Sequence, residues 1–328
     1  MSHQIFHVRA SDKGQTLAAV LKRELGVSWN QARQLIAQRT VRLAGAVCTD
    51  GVRRVQPGME IQIVTDENRK KPRQKLAPPR KTKSSKPKRD DPKPALVFLD
   101  EHIVVVEKPA GLTTMRHAEE AAEFGKRAKK YLPPTLADML PALIGEPEPV
   151  LAVHRLDRDT SGLVVFARTK ESERDLGQQF RAHTIKRKYL AIVRGKAKPA
   201  RIESHIARDR GDGRRGSTTN PEEGQRAVTH VRVIEELDDY TLVECELETG
   251  RTHQVRIHLA EQGSPLCGET VYDRPLHGAP RPDKSKAPHI ALHAATLGLH
   301  HPATGEWREW QSPLPDDLAE LLRRLRKN

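Results

Sequence analysis

The carboxylate best placed for chemistry in this sequence is Asp157, within the stretch His154 to Lys170, HRLDRDTSGLVVFARTK. Asp159, Thr160, Ser161 and Gly162 follow it as turn-formers, and Leu163 to Ala167 then read as a buried strand. A rigid strand holds the loop ahead of it in fixed geometry while the loop stays open to a ligand, which suits a catalytic acid. The same placement suits an Asp that caps a backbone amide in a turn. Lys108 lies in KPAGLTTM, Tyr189 near the start of RKYLAIVRG, and Arg251 at a turn in LETGRTHQVRIHL. Each also has a structural reading, as turn chemistry, a core ring and a surface ion pair respectively. The sequence has no Cys-x-x-Cys, no His-Glu-x-x-His and no Gly-rich nucleotide loop, so no metal site is expected.

The elements that position these groups follow from periodicity. Ala95 to Pro109 reads as two short strands around a turn at Asp100 to His102. Residues 116–149 are charged and Pro-rich, an insertion-tolerant region with one helix at Thr135 to Ile144. After the central stretch come a surface helix over Glu171 to Arg181, with Leu176 and Phe180 turned inward, and a strand over Arg187 to Gly195. A long polar loop is expected over Arg208 to Ala227, where Arg214 and Arg215 can reach a substrate, and then strands at Val228 to Glu235 and Tyr240 to Leu247. Thr252 is placed to cap a helix ending at Gly263. Short alternating strands in place of beta-alpha-beta repeats make this body α+β.

HRLDRDTSGLVVFART resembles the catalytic motif of the RluA family of pseudouridine synthases, in which the Asp of HRLD is the essential residue. KPAGLTTM resembles the first block of that family, RKYLAIVRG its KxYxAxVxG block, and TGRTHQVRIH its TGRxHQxRxH block. Residues 289–315 resemble its closing strands and 316–327 its terminal helix, so the resemblance covers about residues 95–320. It implies a mixed, mostly antiparallel sheet flanked by helices, with the site in a central cleft and uridine in RNA isomerised to pseudouridine after base flipping. Asp157 would attack the anomeric carbon of the sugar or remove the proton next to it, and both routes stay open. Arg251 is implied to pair with Asp157, its fork offsetting the cost of a carboxylate charge in a dry pocket. Tyr189 would lie against the base, Arg155 would fill the gap the base leaves, and Lys108 and His154 would touch the RNA. No redox change or group donor is needed, so no cofactor is expected. The family usually carries Gly-Asp where this chain has Gly268 and Glu269, a departure that bears on local loop geometry.

Charge and composition point the same way. The formal net charge is +14 and hydrophobic residues make up 36% of the 328. The excess of Lys and Arg over Asp and Glu is +3 in residues 1–68, +10 in 69–93 and +1 in 94–328. A basic front ahead of a near-neutral body suits a polyanion, most simply nucleic acid. Residues 1–68 read as two short helices, a tight hairpin around Gly45 and a final strand. The first helix stops at Gly26 and Ser28 caps the second. SWNQARQLIAQRTVRLAGAVCTDGVRRVQPGMEIQIV resembles the RNA-binding domain named after a small-subunit ribosomal protein, which implies that Arg33, Arg39 and Arg42 meet RNA phosphates. Residues 69–93 are too polar to bury a core and should form a disordered, salt-sensitive linker to a catalytic domain at 94–328.

Three scattered cysteines fit a reducing compartment, and no signal peptide or run of about 18 apolar residues is present, so a soluble cytoplasmic monomer with no membrane contact is expected. The partner is RNA, with large-subunit ribosomal RNA favoured by the resemblance and transfer RNA left open. Two rival classes are a non-catalytic RNA-binding or ribosome-assembly factor on the same fold, and a glycosidase that releases free uracil.

Overall fold

The computed structural model describes residues 2–12, 15–27, 31–32, 35–36, 40–48, 53, 55–65, 93–116, 133–210, 214–276 and 278–327. The chain divides into two compact units at residues 87 and 88. The expected linker therefore lies outside the described residues except for Lys93, and so does most of the region 116–134.

The first unit holds β1 (Ser2–His7), α1 (Leu17–Leu25), β2 (Val41–Leu43), β3 (Ala46–Val47) and β4 (Glu60–Thr65). Its antiparallel sheet runs in the order β1-β4-β2-β3. The Thr16 hydroxyl accepts from the Ala19 amide at the start of α1, and Gly26 closes the helix with φ +63°, a value open to a residue without Cβ. Ala44 and Gly45 both take positive φ, as a two-residue hairpin turn of matching twist requires. Leu17, Val20 and Leu21 of α1 bury against Val41, Ile61 and Ile63 of the sheet. β1 is the element that periodicity does not reveal, because SHQIFH lacks a strand's alternation and is set by pairing with β4 far along the chain. Ser28, Arg33 and Arg39 lie outside the described residues.

In the second unit β5 (Ala95–Leu99) and β6 (Ile103–Lys108) form the expected hairpin, followed by α2 (Leu136–Ile144), β7 (Leu151–Ala152) and β8 (Ser161–Ala167). Then come α3 (Lys170–Ala182), β9 (Lys186–Arg194), β10 (Ala200–Ala207), β11 (Gly216–Thr218), β12 (Gly224–Glu236) and β13 (Tyr240–Leu247). The chain closes with α4 (Gln254–Glu261), β14 (Leu292–His300), β15 (Trp307–Gln311) and α5 (Asp316–Leu325). One mixed sheet runs β11-β10-β12-β13-β9-β14-β8-β6-β5, with β15 on β14 and β7 on β8. The β14–β8 pair is parallel and the other described pairs are antiparallel. This is the expected mixed, mostly antiparallel α+β architecture.

Strand alternation supplies two apolar faces around the centre. Ile103, Val105, Leu163 and Val165 pack with Leu176 of α3, whereas Val104, Val106, Val164 and Phe166 pack with Leu136 and Leu140 of α2. At the parallel junction the backbones of β8 and β14 come so close that a Cβ on Gly162 would sit 2.3 Å from the Ala294 carbonyl oxygen. Glycine is required there by space and by its φ of +112°. Every residue of β8 is buried, so the loop ahead of it is anchored to the most rigid part of the sheet.

Two local expectations change. Thr252 does not cap α4. His253 occupies the cap position with φ 62° and makes no side-chain cap bond, and the buried Gln254 fastens the turn instead. Its Oε1 accepts from the Arg251 amide at 3.0 Å and the Thr249 hydroxyl at 2.7 Å, and its Nε2 donates to the Val228 carbonyl at 2.9 Å. The stretch expected as a loop over 208–227 contains β11 and the first residues of β12, because both pair with β10. Their polar sequence hides strands whose register comes from that partner.

Candidate active site

A cavity of about 500 Å³ opens beside the start of β8, lined by Asp157, Tyr189, Arg187, Arg251, His253 and Arg256 among others. Asp157 stands in a loop clamped on both sides by the segment after β6. Thr114 Oγ1 donates to the Leu156 carbonyl at 2.8 Å and accepts from the Leu156 amide at 3.2 Å. On the other side, the Gly111 amide donates to the Arg158 carbonyl at 2.9 Å, and Arg158 Nε donates back to the Gly111 carbonyl at 3.0 Å. Leu156 itself is buried among Leu136, Leu140 and Val164. The loop is fixed at residues 156 and 158, while the Asp157 side chain keeps 21% of its surface exposed.

Lys108 completes the clamp and not an RNA contact. Its side chain is fully buried, and Nζ donates to the carbonyls of Pro109 (2.9 Å), Leu112 (2.8 Å) and Arg158 (3.0 Å). Three acceptors match the three protons of an ammonium. Burial draws its pKa down to about 7, against the opposing pull of Asp159 and Asp157. As the last residue of the buried strand β6, Lys108 turns its side chain into the protein.

The cation beside Asp157 is Arg256 of α4, not Arg251. Arg256 Nη1 lies 3.6 Å from Asp157 Oδ2, and His253 Nε2 lies 3.7 Å from Oδ1. Arg256 is in turn held by Glu269, with Nε 2.7 Å and Nη2 2.9 Å from its two oxygens, and its guanidinium lies 5.1 Å from the centre of the Tyr272 ring. Burial works against the Arg256 charge, but the hydrogen bonds to Glu269 and the charges of Glu269 and Asp157 outweigh it and hold its pKa above the usual value. Glu269 is fully buried, and burial opposes its charge too. Arg256 and the amides of Val271 and Tyr272 nevertheless keep its pKa low. His253 donates or accepts at Nδ1 with the Tyr272 hydroxyl at 2.7 Å. Its pKa is lowered, first by burial.

Arg251 points elsewhere, since its Nε donates to the Arg226 carbonyl on β12 at 2.9 Å. It precedes the helix, so its direction is set by the Thr249–Gln254 turn, whereas Arg256 lies in the first turn of α4 and His253 at its cap, and both approach Asp157. Tyr189 on β9 borders the cavity and packs against both Ala294 and Leu156 neighbours, and burial raises its phenol pKa. Arg155 is exposed where the cavity meets solvent. His154 borders the same space, yet its Nε2 accepts from the Val165 amide at 3.0 Å and its ring stacks on Phe180 at 4.6 Å. Burial, then the nearby Arg187, lowers its pKa to about 3, so it is a neutral support for the loop and not a cation for RNA. Arg42 is exposed on β2 of the first unit. Among the described residues no group of three His, Cys, Asp or Glu side chains is placed to hold a metal ion, and no helix is long and apolar enough to cross a membrane.

Arg256, His253, Glu269 and Arg187 are the site residues that sequence reading does not single out. For His253 and Arg256 the signal is their place at fixed positions of the TGRxHQxRxH block. Glu269 is met there only as a departure from a usual Asp.

Comparison with known proteins adds the context for this geometry. Residues 102–261 match the family model described as RNA pseudouridylate synthase. The chain is 41% identical over 236 residues to the ribosomal large subunit pseudouridine synthase D of Nitrosomonas europaea, covering 70% of this chain and 65% of that relative. It is 39% identical over 242 residues to an uncharacterized RNA pseudouridine synthase, YlyB, of Bacillus subtilis, covering 71% and 73% respectively. Among solved structures, human RNA pseudouridylate synthase domain containing 4 aligns with a TM-score of 0.54 and 25% identity, over 71% of this chain and 93% of that one.

Proposed function

The chain belongs to the RNA pseudouridine synthase family, and on that premise we propose that it isomerises specific uridines of large-subunit ribosomal RNA to pseudouridine, with Asp157 as the residue that acts on the sugar. The observation that carries this reading is Asp157 itself, held rigidly at residues 156 and 158, charge-paired with Arg256 and facing an open cavity. The cavity is large enough for a flipped nucleotide, and flipping costs least in loops or single-stranded RNA. Tyr189 offers an aromatic face to the uracil, and Arg155, exposed beside Asp157, takes the space the base leaves.

In the isomerisation the bond from ring nitrogen N1 to the sugar breaks, the ring turns, and ring carbon C5 bonds to the same sugar carbon. C5 then loses its proton and N1 gains one, so the RNA keeps its mass. Attack by Asp157 on the anomeric carbon and removal of the neighbouring sugar proton both start from an ionised carboxylate. Arg256, itself neutralised by Glu269, holds that charge without bonding it tightly at 3.6 Å. The reaction balances without a redox partner or group donor.

The first unit is the RNA-binding domain in this reading, with Arg42 and the basic residues 69–93 supplying salt-sensitive affinity. A cytoplasmic monomer fits the reading. The test is pseudouridine mapping of total RNA from cells with the gene, without it, and with only Asp157→Asn. Sites that vanish on deletion and return with the wild type but not with Asp157→Asn are expected. Full restoration by Asp157→Asn would move the non-catalytic RNA-binding reading to the front.

A further inference from the structure

We infer that Arg187 and Arg251 form a binding site for a backbone phosphate of the RNA, adjoining the flipped uridine and separate from the Asp157–Arg256 pair. Arg187, on β9, is only 9% exposed and lines the cavity. Its Nε is buried with no hydrogen-bond partner among the described residues, and Nη2 makes one long bond, 3.3 Å, to the Glu248 carbonyl. Nη1 lies where a Cβ on Gly250 would be, 2.4 Å away, so the glycine before Arg251 leaves room for the guanidinium. Phe180 lies beneath it, 5.7 Å from ring centre to guanidinium carbon. Arg251 borders the same cavity with Nε spent on a carbonyl.

Neither arginine has a carboxylate within ion-pair distance among the described residues. The closest acidic residue along the chain, Glu248, turns its carboxylate to His230 at 2.7 Å, Arg201 at 3.6 Å and Arg226 at 3.7 Å. Burial lowers the Arg187 pKa, Tyr189 opposes that shift, and the Arg251 charge adds to it. His183, which also lines the cavity, is lowered by burial and then by Arg187, Arg251 and Arg226. A buried cation without a counter-ion is costly, and an anion from the ligand removes that cost. Uracil and ribose are neutral, so the phosphodiester is the group of an RNA that fits, and the guanidinium fork suits its paired oxygens.

The inference rests on the proposed function for its ligand, and two readouts keep the failures apart. The first is thermal melting of the full chain with inorganic phosphate as the probe. Phosphate should raise the Tm of the wild type and not that of Arg187→Met, because a ligand of the folded state stabilises it by mass action. Without phosphate, Arg187→Met should melt at or above the wild-type temperature, since it removes an uncompensated buried charge; a merely structural arginine would lower it. The second is binding of a large-subunit ribosomal RNA transcript across a salt series. Arg187→Met and Arg251→Met should each weaken binding about tenfold or more and reduce the slope of log affinity against log salt by about 0.7–0.9. Arg187→Lys, which keeps the charge, should keep the slope. Unchanged salt slopes, or equal phosphate stabilisation of wild type and Arg187→Met, would overturn the site. Absence of pseudouridine from the wild-type reaction would instead overturn the proposed function while the phosphate melting still reads the site.

Discussion

Two parts of one cavity handle charge in opposite ways. Around Asp157 each charge has an opposite partner, with Arg256 between the Asp157 and Glu269 carboxylates and Glu269 further secured by three backbone amides. Around Arg187 and Arg251 the cations stand together and the carboxylate along the chain is turned away. The first arrangement is complete in the free protein and holds a reactive group in a set place, as preorganised chemistry needs. The second is incomplete until an anion arrives, as binding needs. On the proposed reading, separating the two keeps Asp157 from competing with RNA for the same arginine.

The largest effect should come from the balanced part. Asp157→Asn should lower turnover by on the order of 10³ or more while RNA affinity stays within a few fold, read by single-turnover kinetics and binding on one RNA. Next, Glu269→Ala leaves Arg256 buried with a single, more distant carboxylate. Loss of one partner of a buried pair costs about 3–5 kcal/mol, so the denaturant midpoint should fall steeply and kcat should fall with it. A Glu269→Ala protein as stable as wild type would show that Asp157 alone suffices to compensate Arg256.

Lys108 gives an intermediate effect with a pH signature. Its folded pKa is about 7 against an ordinary 10.5 in the unfolded chain. Between those values the unfolded state binds more protons, so this group adds stability as pH rises from about 7 toward 10, by up to about 1.4 kcal/mol per pH unit. Lys108→Met should remove that slope and leave three carbonyls without their donor, which lowers stability and loosens the Asp157 loop. Equal pH slopes in the two proteins would contradict the assignment. The smallest effect belongs to the first unit: Arg42→Ala should weaken RNA binding modestly and reduce the salt slope by about 1, with kcat unchanged.

Much of this was legible in the sequence where contacts are local. Asp157 ahead of a buried strand, the helix α2, the α1 stop at Gly26 and the β5–β6 hairpin all depend on neighbours a few residues away. Arg256 stands in the same TGRTHQVRIH block as Arg251, but the resemblance pairs Arg251 with Asp157, whereas the turn before α4 directs Arg251 to the Arg226 carbonyl and leaves Arg256 beside the carboxylate. Lys108 and His154 read as contacts for RNA from the resemblance; burial at the end of β6 and stacking on Phe180 decide otherwise. Glu269 and Arg187 could not be read, since the meaning of each depends on residues brought near by the sheet.

Whether Asp157 carries a uridine isomerisation is read from pseudouridine in an unmodified large-subunit ribosomal RNA transcript treated with purified wild type or Asp157→Asn. Discrete pseudouridines at unchanged RNA mass, without free uracil, are expected for the wild type, and none above background for Asp157→Asn. Activity of Asp157→Asn within about tenfold of wild type would contradict the assignment.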